Sequence, residues 1–430
     1  MKIGSRNINF PEYKIHMDIK IFPSKINGEL NAPSSKSFAQ RALAASLLSN
    51  NETVITGYTA SDDSEAAMSI IETLGAKVQQ NSDEILVKGF LPDNKKRHIE
   101  INCGESGLSS RLFAPVTLLY AQNVTVNGKG SLLERPFGTL MQLPFEQMGI
   151  NYHDNNGKLP LLLKGDITAK EINIDGSGGS QFLSGILMAL PLLPHSTVVN
   201  VHNLKSRPYI DLTIELLSHF GVNITHNNYQ VFNIPGNQHY YAKQYNIEGD
   251  WSGASCLLVA GAIGGRIKIN NLNSASKQAD KAIINVLQSA GCIVKIEEMS
   301  VTIEKNELKP FEFDATDCPD LFPALVALAA NCKGISKIKG ISRLATKESN
   351  RSLTLQTEFA KLGIKIELTG DFMNINGGEI SGGTTCSHND HRIAMALAVA
   401  TVNAQAAVNI TGAECVNKSY PGFWDDFKSL

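Results

Sequence analysis

Leu74-Gly75-Ala76-Lys77-Val78 closes an amphipathic stretch and opens a β-like run. The same junction returns at Met148-Gly149-Ile150, Phe220-Gly221-Val222, Ala290-Gly291-Cys292 and Leu362-Gly363-Ile364. The five glycines lie 74, 72, 70 and 72 positions apart. Glycine follows a helix C-terminus because it adopts the left-handed conformation without steric cost. An apolar residue, a glycine and a new strand at fixed spacing mark one unit repeated along the chain, an α/β repeat of about 70 residues.

A second element recurs out of phase with the first. It is a polar or glycine-rich start followed by an Ala/Leu-rich helix. Its six copies begin at Ser34-Ser35-Lys36-Ser37, at Glu105-Ser106-Gly107, at residues 177–180, at Trp251-Ser252-Gly253, at residues 317–320 and at residues 388–390. Strand-like runs at residues 53–55, 85–87, 198–201 and 267–269 fall between the helices. Each unit therefore reads βαβαββ. The first helix is apolar almost all round and should be buried, and the second is two-faced and should cover it. Six units over a chain too long for one core give two domains of three units each, joined by short crossovers.

The bulk composition excludes several classes. Of the 430 residues 43% are hydrophobic and 19% charged, as in a soluble globular protein. A net charge of −2 gives no electrostatic case for nucleic acid or an anionic membrane. Seven scattered cysteines without CxxC or zinc-like spacing suggest a reducing compartment. The start of the chain lacks the apolar core of a signal peptide, so a cytoplasmic location is expected.

Helix N-termini present unpaired N–H groups and a positive dipole end, which suit anions. Six such starts, several carrying Lys or Arg, favour a shared anion-binding cleft over ordinary capping. Lys36, Ser37 and Arg41 form the densest cluster, with Arg41 one helical turn beyond Ser37. Asn389-Asp390-His391-Arg392 is a second, and residues 346–351 set Lys347 and Arg351 at i, i+4 with Glu348 between them. The plain structural alternatives are a charge-paired helix face for residues 347–351, a satisfied structural histidine at His391 and a helix cap at Asp320. The chemical reading is that Asp320 and Glu348, among cations, move protons on an anionic substrate.

Taken together, the chain resembles the 5-enolpyruvylshikimate-3-phosphate synthases, 3-phosphoshikimate 1-carboxyvinyltransferases of the enolpyruvyl transferase family. The resemblance runs from about residue 26 to the end. It rests on Pro33-Ser34-Ser35-Lys36-Ser37, Glu134-Arg135-Pro136, Ser180-Gln181-Phe182-Leu183, Ser206-Arg207-Pro208-Tyr209-Ile210-Asp211, Glu248-Gly249-Asp250, Pro319-Asp320, Lys347-Glu348-Ser349-Asn350-Arg351, Asn389-Asp390-His391-Arg392 and Lys418-Ser419-Tyr420-Pro421. It implies an EPT/RTPC-like fold, a two-domain inverse α/β barrel with three βαβαββ units per domain. Residues 1–33 with 249–430 would form one domain, residues 34–248 the other, with the active site in the cleft between them.

The reaction implied is transfer of the enolpyruvyl group of phosphoenolpyruvate to the 5-hydroxyl of shikimate 3-phosphate, releasing phosphate. It runs by addition–elimination through a tetrahedral intermediate. By the same resemblance Lys36, Ser37, Arg41, Ser180, Gln181, Ser206, Tyr209, Asp320 and Lys347 hold shikimate 3-phosphate. Arg351 and Arg392 grip the phosphoenolpyruvate carboxylate, and Lys36, Gly107, Gln181 and Lys418 its phosphate. Asp320 takes the proton of the attacking hydroxyl, and Glu348 moves the proton at the enol carbon with Lys36 assisting. No cofactor, metal, nucleic-acid or membrane partner is expected, and a monomer is implied. The alternatives are a paralogous enolpyruvyl transferase with another hydroxyl acceptor and a non-catalytic anion-binding scaffold.

Several positions depart from the family pattern. Asn-Ala-Gly-Thr reads Glu105-Ser106-Gly107-Leu108, and an arginine ahead of Glu134-Arg135-Pro136 reads Ser131. A ligand serine reads Gly179, a ligand asparagine Arg343, and an aspartate Asn350. Lys129 is expected to compensate for the missing cation at 131. Leu108 and Ser131 are expected to weaken binding of glyphosate, which occupies the phosphoenolpyruvate pocket in the family.

Overall fold

In the computed structural model, which describes residues 17–82 and 84–430, all five junction glycines have positive φ. The angles are 110° at Gly75, 86° at Gly149, 79° at Gly221, 94° at Gly291 and 85° at Gly363. At each, the next residue donates its N–H to the carbonyl five positions back. Ala76 reaches Ile71, Ile150 reaches Phe145, Val222 reaches Leu217, Cys292 reaches Leu287 and Ile364 reaches Phe359, all at 2.9 to 3.0 Å. These are Schellman closures, which satisfy carbonyls left over at a helix end. One local solution ends five helices, which is why the spacing was readable. Residues 1–16, most of the N-terminal extension, lie outside the described residues.

The helices are α1 (Lys36–Leu47), α2 (Asp62–Thr73), α3 (Gly107–Thr117), α4 (Gly138–Gln147), α5 (Gln181–Ala189) and α6 (Pro208–His219). They continue with α7 (Trp251–Gly264), α8 (Ile283–Ser289), α9 (Phe322–Ala330), α10 (Arg351–Lys361), α11 (His391–Thr401) and α12 (Phe423–Lys428). The odd-numbered ones are the apolar inner helices. Every residue of α9 and α11 is buried, and all of α7 but its last. The even-numbered ones show two faces, as in α2, where Ala67, Ile70 and Ile71 are buried and Glu65 and Glu72 exposed. A reciprocal Ser61–Ser64 capping box and Asp62, Asp63 and Glu65 in the first turn fix where α2 begins.

In five of the six units a small sheet has a parallel pair extended by an antiparallel hairpin, and in the sixth the parallel pair gains one antiparallel strand. In the second unit Ile99–Asn102 runs parallel to Asn123–Asn127, which pairs with Lys158–Lys164 and then Asn151–Asn155. Two units borrow their first strand from a distant part of the chain. Gln244–Asn246 completes the first unit beside Glu52–Thr56, and Ile26–Asn31 completes the fourth beside Gly265–Asn270. Ile19–Ile21 adds to the sixth, antiparallel to Val408–Thr411.

Buried apolar side chains gather into two cores. One draws on residues 38–247, the other on residues 19–32 and 251–427. The chain passes between them twice, and the crossings lie side by side. Ser35 N–H donates to Glu248 O at 2.8 Å and Asp250 N–H to Pro33 O at 2.7 Å. Paired crossings tie the two halves at one edge and leave a cleft between them. Among the described residues no helix is long and apolar enough to cross a membrane.

Candidate active site

The cleft holds a cavity lined by the starts of α1, α3 and α5 and by Pro319 and Asp320, which precede α9. Three of those four starts are left open by their own sequence. Ser35, Ser180 and Leu321, the residues before α1, α5 and α9, make no side-chain cap bond. At α3 the Ser106 hydroxyl does accept from Ser109 N–H. The remaining two starts do not line this cavity. Asp250 and Asp390 cap α7 and α11 through Ser252 and Arg392 N–H, and Arg392 Nη1 donates to Ser252 O at 2.8 Å. The expected convergence of six starts is therefore four in the wall and two behind it.

Lys36, Ser37, Arg41, Gly107, Ser180, Gln181, Ser206, Tyr209, Asp320, Lys347 and Glu348 all line the cavity. Arg41 is buried, and Thr213 Oγ1, Ser37 O and Ser184 Oγ hold its guanidinium at 2.9, 2.9 and 3.2 Å. Lys36 Nζ sits 2.9 Å from Asp63 Oδ2. Burial works against its charge, but Asp63 and Glu348 outweigh burial and raise its pKa. The Tyr209 hydroxyl donates to Asp280 Oδ2 at 2.5 Å.

Arg351, Arg392 and Lys418 lie just outside the cavity wall. Arg351 is fully buried and joins three carboxylates: Asp320 at 2.6 Å, Glu348 at 2.6 Å and Asp390 at 2.8 Å. Lys347 Nζ adds a second cation to Asp320 at 3.1 Å, and Arg135 Nη2 approaches Glu348 at 3.2 Å. Burial pushes the Asp320 carboxyl up, yet Lys347, Arg351 and Arg392 outweigh it and hold it well below the ordinary range. For Glu348 burial is likewise outweighed, chiefly by Arg351 and Arg135. Both carboxylates are ionised, and both are held by one guanidinium.

Three plain structural alternatives are overturned here. Residues 347–350 form a loop and only Arg351 is helical, so Lys347 and Arg351 meet at Asp320 rather than along a helix face. Asp320 belongs to a short 3-10 turn and does not cap α9. His391 is buried with neither ring nitrogen hydrogen-bonded. Burial, then Lys36 and Arg392, hold it well below its ordinary pKa, so the imidazole is neutral.

The family model for EPSP synthase (3-phosphoshikimate 1-carboxyvinyltransferase) matches residues 22–427. The chain belongs to the EPSP synthase family. A 3-phosphoshikimate 1-carboxyvinyltransferase of Clostridium perfringens is 39% identical over 413 residues, covering 95% of this chain and 97% of its own. That of Clostridium acetobutylicum is 38% identical over 419 residues, covering 96% and 97%. Among solved structures, EPSP synthase from Acinetobacter baumannii superposes with a TM-score of 0.77 at 23% identity, covering 95% and 97%. The enolpyruvyl transferase NikO from Streptomyces tendae gives 0.74 at 14% identity, covering 96% of each chain. At these identities the two structures speak for the fold.

Within an EPSP synthase frame the departures become interpretable. Lys129 is exposed and does not line the cavity, so the expected compensation for Ser131 is not there. The cations nearest the Gly107 helix start are Arg111 and Arg135. A Cβ at Gly107 would stand 2.7 Å from Arg135 Nη1 and 3.1 Å from Arg111 Nη1, so glycine is what lets both approach. Asn350 keeps a cap on α10, its Oδ1 accepting from Leu353 N–H. Asp63, the partner of Lys36, was also missed, because its place in the first turn of α2 reads as a helix-dipole residue.

Proposed function

We propose that this cleft transfers the enolpyruvyl group of phosphoenolpyruvate to the 5-hydroxyl of shikimate 3-phosphate. The observation that carries the residue roles is the pair of cleft carboxylates, Asp320 and Glu348, bound 2.6 Å from the same buried guanidinium of Arg351. An incoming carboxylate competes for Arg351 and loosens its hold on both. Their pKa values then rise toward burial-dominated ones, which suits groups that must exchange protons.

In this reading Lys36, Ser37, Arg41, Ser180, Gln181, Ser206, Tyr209 and Lys347 bind the acceptor. Arg351 and Arg392 take the phosphoenolpyruvate carboxylate, while Lys36, Gly107, Gln181 and Lys418 face its phosphate. Asp320 accepts the hydroxyl proton as oxygen adds to the enol phosphate carbon of phosphoenolpyruvate, and that proton leaves with the released phosphate. Glu348, with Lys36 assisting, moves the proton at the methylene carbon: it takes up a proton once Arg351 turns to the substrate carboxylate, delivers it on addition and recovers one as phosphate departs. Fixed cations stabilise the anionic intermediate without reorganisation. The chain would act as a monomer, with the domain of residues 34–248 closing over the substrates against that of residues 1–33 with 249–430.

Phosphate release with both substrates tests this. Turnover dependent on shikimate 3-phosphate is expected. Binding of phosphoenolpyruvate without turnover would point to a paralogous transferase with a different acceptor, and failure to bind either would leave a scaffold.

A further inference from the structure

Two departures, Gly179 and Arg343, meet in space. Arg343 closes a short 3-10 turn, Ile341–Arg343, on one side of the cleft. Its guanidinium crosses to the other side, where Nη1 donates to Ser177 O at 2.8 Å and Nη2 to Ser206 Oγ at 3.3 Å. A Cβ at position 179 would lie 2.9 Å from Nη2, and Gly179 also has a φ of +117°. A serine at 179 in this backbone would push against the guanidinium. The glycine and the arginine are therefore a matched pair.

We infer that Arg343 is a phosphate-binding residue for the acceptor, taking over with a full charge what a hydroxyl at 179 would supply. Both Gly179 and Arg343 line the cavity, together with Ser180 and Ser206. Ser180 is only 3% exposed, and its hydroxyl makes no hydrogen bond to any described residue. It stands at the uncapped start of α5, whose N–H groups face the same space. Arg343 Nε is buried and unpartnered as well. A guanidinium fork, two hydroxyls and a helix start form a site matched to a phosphomonoester dianion. Because Arg343 comes from one half and Ser180 and Ser206 from the other, that dianion would join the halves.

This rests on the transferase reading and deepens it. The test compares shikimate 3-phosphate with unphosphorylated shikimate as acceptors for wild type, Arg343→Ala and Arg343→Lys, with thermal melting to check folding. Arg343→Ala should raise KM for shikimate 3-phosphate about 10- to 100-fold, the range for losing a charged contact. Its loss of kcat/KM on unphosphorylated shikimate should be markedly smaller than on shikimate 3-phosphate, so the preference for the phosphorylated acceptor shrinks. Arg343→Lys keeps the charge without the fork and should recover part of that preference. Equal losses on both acceptors, or no loss on either, would overturn the role of Arg343 while leaving the transferase intact. Absence of wild-type turnover with shikimate 3-phosphate would remove the transferase reading itself, and this inference with it.

Discussion

Lys418 Nζ lies 2.7 Å from Glu105 Oε2, an ion pair that spans the two halves of the molecule. The same oxygen accepts from Ser131 N–H at 3.2 Å, Ser131 Oγ at 2.7 Å and Asn389 Nδ2 at 3.2 Å. Two of the departures from the family pattern are thus one device. Where the pattern has an asparagine and an arginine, this chain has a carboxylate steadied by a serine. Burial works against the Glu105 charge, but Lys418 and Ser131 outweigh it and lower its pKa.

Such a carboxylate competes with a substrate phosphate for Lys418. Glu105→Gln removes the competing charge and keeps the size and the hydrogen-bonding oxygen. Its KM for phosphoenolpyruvate should fall severalfold, with inhibition by glyphosate strengthening in parallel. Steady-state kinetics at fixed ionic strength reads both. An unchanged or higher KM would mean that Glu105 organises the pocket rather than competing in it.

Asp320→Asn and Glu348→Gln should each lower kcat by about 10²- to 10⁴-fold, the usual worth of a positioned proton-transfer group. Because Arg351 keeps Asp390 and one further carboxylate in either variant, the fold should survive. Single-turnover rates alongside thermal melting separate the two effects. A rate within tenfold of wild type in either variant would remove that residue from the proton transfers.

The fold was legible because its punctuation is local. A glycine at a Schellman closure depends only on the last turn of its own helix, so Gly75 and its four counterparts carry the period without tertiary information. The strand exchange was less visible, since nothing in Ile26–Asn31 or Gln244–Asn246 names a partner more than 180 residues away. At the site, clusters contiguous in sequence such as Lys36, Ser37 and Arg41 were readable. Pairings formed in space were not. Arg135 with Glu348 and Gly179 with Arg343 join separate units, and Asp63 with Lys36 the two helices of one unit; only packing brings each pair together.

Asp280 offers a test through stability. It is fully buried; Oδ2 accepts from the Tyr209 hydroxyl, and Oδ1 has no partner. Burial, reinforced by the negative charge of Asp320, pushes its pKa up from 3.8 to about 6. A carboxyl whose pKa is higher in the folded state binds its proton more tightly there. Its contribution is therefore favourable at low pH and is lost as pH rises from about 4 to about 6, leaving above that a buried charge that costs on the order of 2–3 kcal/mol. Asp280→Asn carries no such charge and keeps an oxygen for Tyr209. Its new amide group has a cost of its own, but that cost does not vary with pH. The informative quantity is accordingly the change with pH in the stability difference between variant and wild type. Melting curves should show the variant gaining on wild type as pH rises from about 4, most steeply near pH 5 and levelling off above about pH 6. A difference that stays flat across that range would mean Asp280 is ionised throughout, with its charge met by Arg392 and the Tyr209 hydroxyl.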